Sequence, residues 1–149
     1  MFRFSTVLLL LSVVFPATTT AQQFVSFYGT ATDVYDADVF TIRLSDLSRA
    51  YLDRWLSPAE RRTGTVGIQL QGIDAPERSA NHPYWQESRA HLVKLLRGQK
   101  VNIQVLLGAS GNLNRSPAGF VGVARVGRFA KPLNLSLIEA GLAKDDWRV

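Results

Sequence analysis

Gly72-Ile73-Asp74-Ala75-Pro76-Glu77 lies near the middle of the chain and decides how the rest is read. Asp74 closes an alternating apolar stretch, Glu77 follows three positions later, and Pro76 between them fixes the backbone. Residues 65–73 therefore read as a strand that delivers two carboxylates to its end. Upstream, Phe24-Val25-Ser26-Phe27-Tyr28-Gly29, within 24–33, is rich in aromatic and β-branched residues and reads as a first strand. A turn at Asp36-Ala37-Asp38 leads into a second, Val39-Phe40-Thr41-Ile42-Arg43-Leu44.

Downstream, Tyr84 to Leu96 carries apolar residues at Ala90, Leu92, Val93, Leu95 and Leu96, the pattern of an amphipathic helix closed by Gly98. Val101 to Leu107 and Phe120 to Val126 read as two strands joined by a Gly/Ser/Asn-rich turn. Leu133 to Ala140 reads as a helix, with Asn134 placed as its N-cap and Gly141 as its stop. Three strands, a helix, two strands and a helix is the order of an oligonucleotide-binding barrel. The expected class is β-rich α+β: a five-stranded OB-fold Greek-key barrel with two or three helices. The segment 45–63 is an insert in that scheme, and Asp46 to Trp55 reads as a short helix with Tyr51 and Trp55 on one face. It either packs on the barrel or forms a basic, aromatic lip (Arg49, Arg54, Arg61, Arg62) that stacks bases and meets phosphates.

Composition sets the frame. A chain of 149 residues, 46% hydrophobic and 19% charged, is one domain with a packed core rather than a disordered segment. Its net charge of +5 favours polyanionic partners. Met1-Phe2-Arg3, an apolar run from Val7 to Phe15 broken only by Ser12, then Pro16, a threonine tract and Ala21 follow the layout of a secretory signal peptide. Residues 1–21 are read as that signal and 22–149 as the mature domain; losing Arg3 takes the charge from +5 to +4. The apolar run is shorter than the about 20 residues that span a bilayer. A secreted or periplasmic monomer with no stable membrane association after cleavage is expected. There is no cysteine, so neither disulfides nor thiolate chemistry is available, and His82 and His91 lack the spacing of a zinc site.

The acids carry the chemistry. Asp38 begins one strand and Asp74 ends another, so a closed barrel brings both to one rim. Carboxylates brought together repel, and a divalent cation relieves that repulsion while taking hard oxygen ligands. Glu77, beyond the rigid Pro76, is placed to orient or deprotonate a water. The same acids also read as strand ends and loop caps, which is the reading taken for Asp36.

The stretch Gly72 to Glu77 resembles the Gly-Ile-Asp-Ala-Pro-Glu signature of the thermonucleases, the staphylococcal-nuclease family. Asp36-Ala37-Asp38-Val39 is similar to the family's Asp-Gly-Asp-Thr turn, Pro83-Tyr84 with Leu92, Leu96 and Gly98 to its first helix, and Leu133-Asn134 through Gly141-Leu142-Ala143 to its ending. The likeness runs in order over about residues 24–144 apart from the insert; Val149 follows Ala143 closely, leaving little room for the family's final helix. The resemblance implies a secreted, calcium-dependent nuclease that hydrolyses phosphodiester bonds of single-stranded DNA or RNA. It implies metal ligands at Asp38 and Asp74, a backbone carbonyl ligand at Ala75, and Glu77 as general base or water-positioning group.

Two departures weaken that assignment. The family's arginine five residues before the signature aspartate is Gln69 here, a neutral amide in place of a fixed cation. Loss of one transition-state donor commonly costs about 10²–10³ in rate, and an arginine at a transferring phosphoryl group is worth about 10³–10⁵. The family's second arginine follows a turn before the fifth strand, where this chain has Gly111-Asn112-Leu113-Asn114-Arg115-Ser116-Pro117-Ala118. One alignment gives that role to Arg115, as a catalytic residue beside Glu77; the other puts Ala118 there and removes the charge. Arg78, Arg43 and Arg125 are substitutes or solvated charges. The alternative function is a catalytically degenerate module that binds nucleic acid or another anionic polymer.

Overall fold

The computed structural model describes residues 21–127 and 130–146, so the expected signal segment lies outside the described residues except for Ala21. The first strand, β1 (Gln23–Val34), turns Val25, Phe27, Gly29 and Ala31 inward and Phe24, Ser26, Tyr28 and Thr30 outward, the alternation of a half-buried strand. It is followed by β2 (Val39–Leu44), then by the insert: α1 (Asp46–Leu52), a 3-10 turn (Asp53–Trp55) and α2 (Pro58–Thr63). Next come β3 (Thr65–Leu70), β4 (Ile73–Asp74), α3 (Trp85–Leu96), β5 (Lys100–Leu107), β6 (Arg115–Ser116), β7 (Gly119–Val126), α4 (Leu133–Glu139) and β8 (Lys144–Asp145). Among the described residues no helix is long and apolar enough to cross a membrane.

The strands run in the order β3-β2-β1-β5-β7 and close when β3 pairs with β7 in parallel, with Ile68 beside Phe120 and Gln69 beside Val121. The other pairings between neighbouring barrel strands are antiparallel. This is the expected five-stranded barrel. Its interior holds Phe27, Phe40, Ile42, Ile68, Ile103 and Phe120, all essentially inaccessible to water, with the Phe27 and Phe120 rings 5.5 Å apart. Leu92 and Leu96 of α3 and Leu133 and Leu137 of α4 complete the core.

Three local readings are corrected. The third strand does not run through 65–73: Gly72, at φ +73°, turns the chain, and Ile73-Asp74 leaves the barrel to pair with Asp145 and Lys144 of β8. The insert carries two helices, so the described chain has four. Asn134 is not an N-cap. Pro132 takes that position, and Asn134 is buried inside α4, where Nδ2 donates to the Gln71 carbonyl at 2.6 Å and Oδ1 accepts from the Ala124 N–H at 3.4 Å. The residue ties α4 to the turn that precedes the acidic loop.

The closing seam allows no side chain. A Cβ on Gly67 would lie 1.9 Å from the Ala118 carbonyl oxygen, and one on Gly119 would lie 2.0 Å from the Gly67 oxygen. Gly67→Ala is expected to lose about 3 kcal/mol of unfolding free energy in urea titrations, the upper range for forced overpacking. Gly98→Ala, at φ +65° with open space around it, should lose only about 1 kcal/mol. Equal losses would mean that the seam is not a steric constraint.

Candidate functional site

The rim is built where β2 begins. The N–H groups of Tyr35 and Asp36 both donate to the Val39 carbonyl, at 2.9 and 3.1 Å, and fold 35–39 into a tight turn. Asp36 Oδ1 accepts from the Ala37 N–H at 2.9 Å and from Trp85 Nε1, so this acid fastens the turn to α3, the structural role read for it. The Leu70 N–H donates to the Asp38 carbonyl at 2.9 Å, which ties the start of β2 to the end of β3 just before the acidic loop.

Asp38 is the strained member of the group. Burial, then repulsion from Asp36 and Glu77, pushes its carboxyl up to about 6, against hydrogen bonds from Gln69 and its own backbone. Asp38, Asp36 and Glu77 therefore share one neighbourhood. Asp74 is exposed on β4, opposite Lys144, and lines a groove of about 480 Å³ together with Ala75, Glu77, His82 and Tyr84. Glu77 belongs to both settings, and it accepts from Ser79 Oγ at 3.1 Å. The donors are the hard oxygens that calcium takes. Among the described residues, however, no three His, Cys, Asp or Glu side chains stand together as a metal-holding group.

The cations are disposed differently. Gln69, paired with Val39 across the β2–β3 ladder, stands beside Asp38, and its amide favours the ionised carboxylate there. Arg115 is held by the insert: Nη1 and Nη2 donate to the two Glu60 carboxylate oxygens at 3.0 and 2.9 Å. Nη2 also reaches the Trp55 carbonyl at 3.0 Å, and the guanidinium lies 3.9 Å from the Phe120 ring centre. Burial raises the Glu60 carboxyl, but hydrogen bonds from Arg115 and Ser57 outweigh it and hold the group below its usual range. Arg78 sits over Trp85, 5.6 Å from the ring centre, one residue beyond Glu77.

The insert packs on the barrel. Leu52 and Leu56 are buried in the core, and Trp55 Nε1 donates to the Gly111 carbonyl at 2.9 Å. Of the arginines proposed as a lip, Arg49 donates to the Arg61 carbonyl, Arg61 pairs with Asp53, and Arg54 stacks on Trp55. Tyr51 meets Trp55 edge-on at 6.2 Å, as their shared face implies, and its side chain stays exposed. Sequence reading missed Glu60, although Ser57-Pro58-Ala59-Glu60 carries the Ser-x-x-Glu capping-box pattern that the structure forms.

Two outcomes follow. Folded Asp38 holds its proton more tightly than the unfolded chain does, so its contribution to stability falls as pH rises from about 4 through 6. Asp38→Asn should therefore stabilise the protein at pH 7.5 by roughly 2–3 kcal/mol, with the gain vanishing near pH 4 in denaturant titrations. A constant gain across that range would contradict the shift. Glu60→Ala should cost about 1–2 kcal/mol, and a double-mutant cycle with Arg115→Ala should recover most of that as coupling; independent effects would mean the pair holds nothing.

No protein-family model and no curated protein matches the chain.

Proposed function

We propose that the protein is an exported nucleic-acid-binding barrel on the thermonuclease plan, whose acidic rim does not turn phosphodiesters over efficiently. One observation carries this reading: neither position at which phosphoryl transfer needs a fixed cation has a free one. Gln69 offers only a neutral amide beside Asp38, and Arg115 gives its guanidinium to Glu60. A phosphate approaching Asp36, Asp38 and Glu77 without either cation meets like charge. Binding is supported by the net charge of +5 and by the barrel class, which takes oligonucleotides. Export is supported by the layout of residues 1–21.

A slow metal-dependent nuclease acting on DNA or RNA is the second reading, and the crowding of carboxylates around Asp38 favours it. On that reading Asp38, Asp74 and the Ala75 carbonyl hold calcium and Glu77 is the general base. The two readings part on one substitution. Under the binding reading, Gln69→Arg raises calcium-dependent cleavage of single-stranded DNA by less than about tenfold, because Arg115 stays on Glu60. A gain of about 10²–10³, the worth of one restored donor, overturns it in favour of the nuclease. Calcium also separates them without any turnover: the binding reading expects no change in Tm on adding millimolar calcium. A rise that Asp38→Asn abolishes supports a bound ion instead.

A further inference from the structure

At the end of β2 remote from the acidic rim, the outer sheet face carries a groove that the site described above does not use. The ladders set Arg43 of β2 and Lys100 of β5 on either side of Thr30 of β1, in one row across three strands. All three residues are exposed. One step of the outward alternation along β1 lies Tyr28, 50% exposed, with Asn102 and then Arg125 beside it on β5 and β7. The groove has a volume of about 400 Å³, with Leu47 of α1 as its apolar wall. The wall is fixed: Ser48 Oγ accepts from the Tyr28 N–H at 2.8 Å, and the Ser45 N–H donates to the Tyr28 carbonyl at 3.1 Å.

Charge distinguishes this face. No carboxylate lines the groove, the nearest along the chain being Asp46 at the start of α1. Among the described residues, the ion pairs involve Arg61, Arg115 and Lys131, and neither Arg43 nor Lys100 has such a partner. Two cations on strands that flank the central one stand about 10 Å apart, and an aromatic ring one outward position along lies about 7 Å from their row. A strand crossing the sheet meets a cation, a ring and a second cation.

We propose that this groove holds a single-stranded nucleic-acid segment, with a base stacked on Tyr28 and neighbouring phosphates on Arg43 and Lys100. The proposal rests on the nucleic-acid reading above and adds where the strand lies. Cationic grooves with exposed aromatic rings are how single strands are held without sequence preference. With both Leu44 and Leu47 in the lining, it is the cations Arg43 and Lys100 on its flanks and the lack of a lining carboxylate that favour a polyanion.

Fluorescence anisotropy with a labelled thymidine dodecamer tests it on the purified protein. Arg43→Gln with Lys100→Gln should weaken binding by at least about tenfold and flatten the salt dependence of log K by about 1.4, the release from two single-strand phosphates. Tyr28→Ala should weaken binding by about tenfold, while Tyr28→Phe, which keeps the stacking face, should bind normally. Lys94→Gln with Lys131→Gln removes the same charge elsewhere and should change binding by less than about twofold, since only local contacts set the slope. Equal losses from both charge pairs would overturn the groove and leave only general attraction. No binding by the unaltered protein would overturn both this proposal and the function it rests on, and binding to anionic phosphatidylserine vesicles alone would do so in favour of a membrane surface.

Discussion

Closure of the barrel by the parallel pairing of β3 with β7 is the constraint on which the other features depend. At that seam Gly67 and Gly119 bring two backbones closer than any side chain allows. The pairing sets Gln69 beside Val121 and Leu70 beside Gly122, just before Gly72 turns the chain into the acidic loop. Asn134 then clamps the same turn from α4. The crowding of Asp38 by Glu77 follows from the neighbouring β2–β3 ladder, which sets the start of β2 beside the end of β3, seven residues before Glu77.

The molecule disposes its charges in a way that sequence composition hides. Carboxylates gather at the start of β2 and along the loop after β3, where burial and like charge push the Asp38 carboxyl up to about 6. Arginines near the insert are consumed locally, on carbonyls, on Trp55, on Asp53 and on Glu60. Arg43 and Lys100, neither of them in an ion pair, stand on the outer face at the other end of β2, while Arg78 and Lys144 lie beside the acidic loop. In the proposed function the strand is held by the cationic face and the acidic rim contributes little to holding it.

The strands were legible from their aromatic and β-branched residues, and from Val101 to Val105 apolar and polar residues also alternate as the burial does. The break at Gly72 was missed although Ile73 falls out of phase with Val66, Ile68 and Leu70, and the positive φ of Gly72 is where the phase changes. Asn134 was misplaced because its amide answers to Gln71 and Ala124, distant in sequence and invisible to a local capping pattern. The fate of Arg115 was hidden for the same reason: its partner Glu60 lies 55 residues away, in a helix the reading had not assigned. The acidic set was readable residue by residue, but not its division into the surroundings of Asp38 and the groove of Asp74, with Glu77 common to both.

The most direct measurement follows one labelled single-stranded oligonucleotide through both binding and breakage, in calcium, with the unaltered protein in excess. The account predicts a saturating, salt-sensitive complex from which the oligonucleotide is recovered at full length after prolonged incubation. Conversion of the bound strand to fragments, at a rate that Glu77→Gln abolishes, would contradict it.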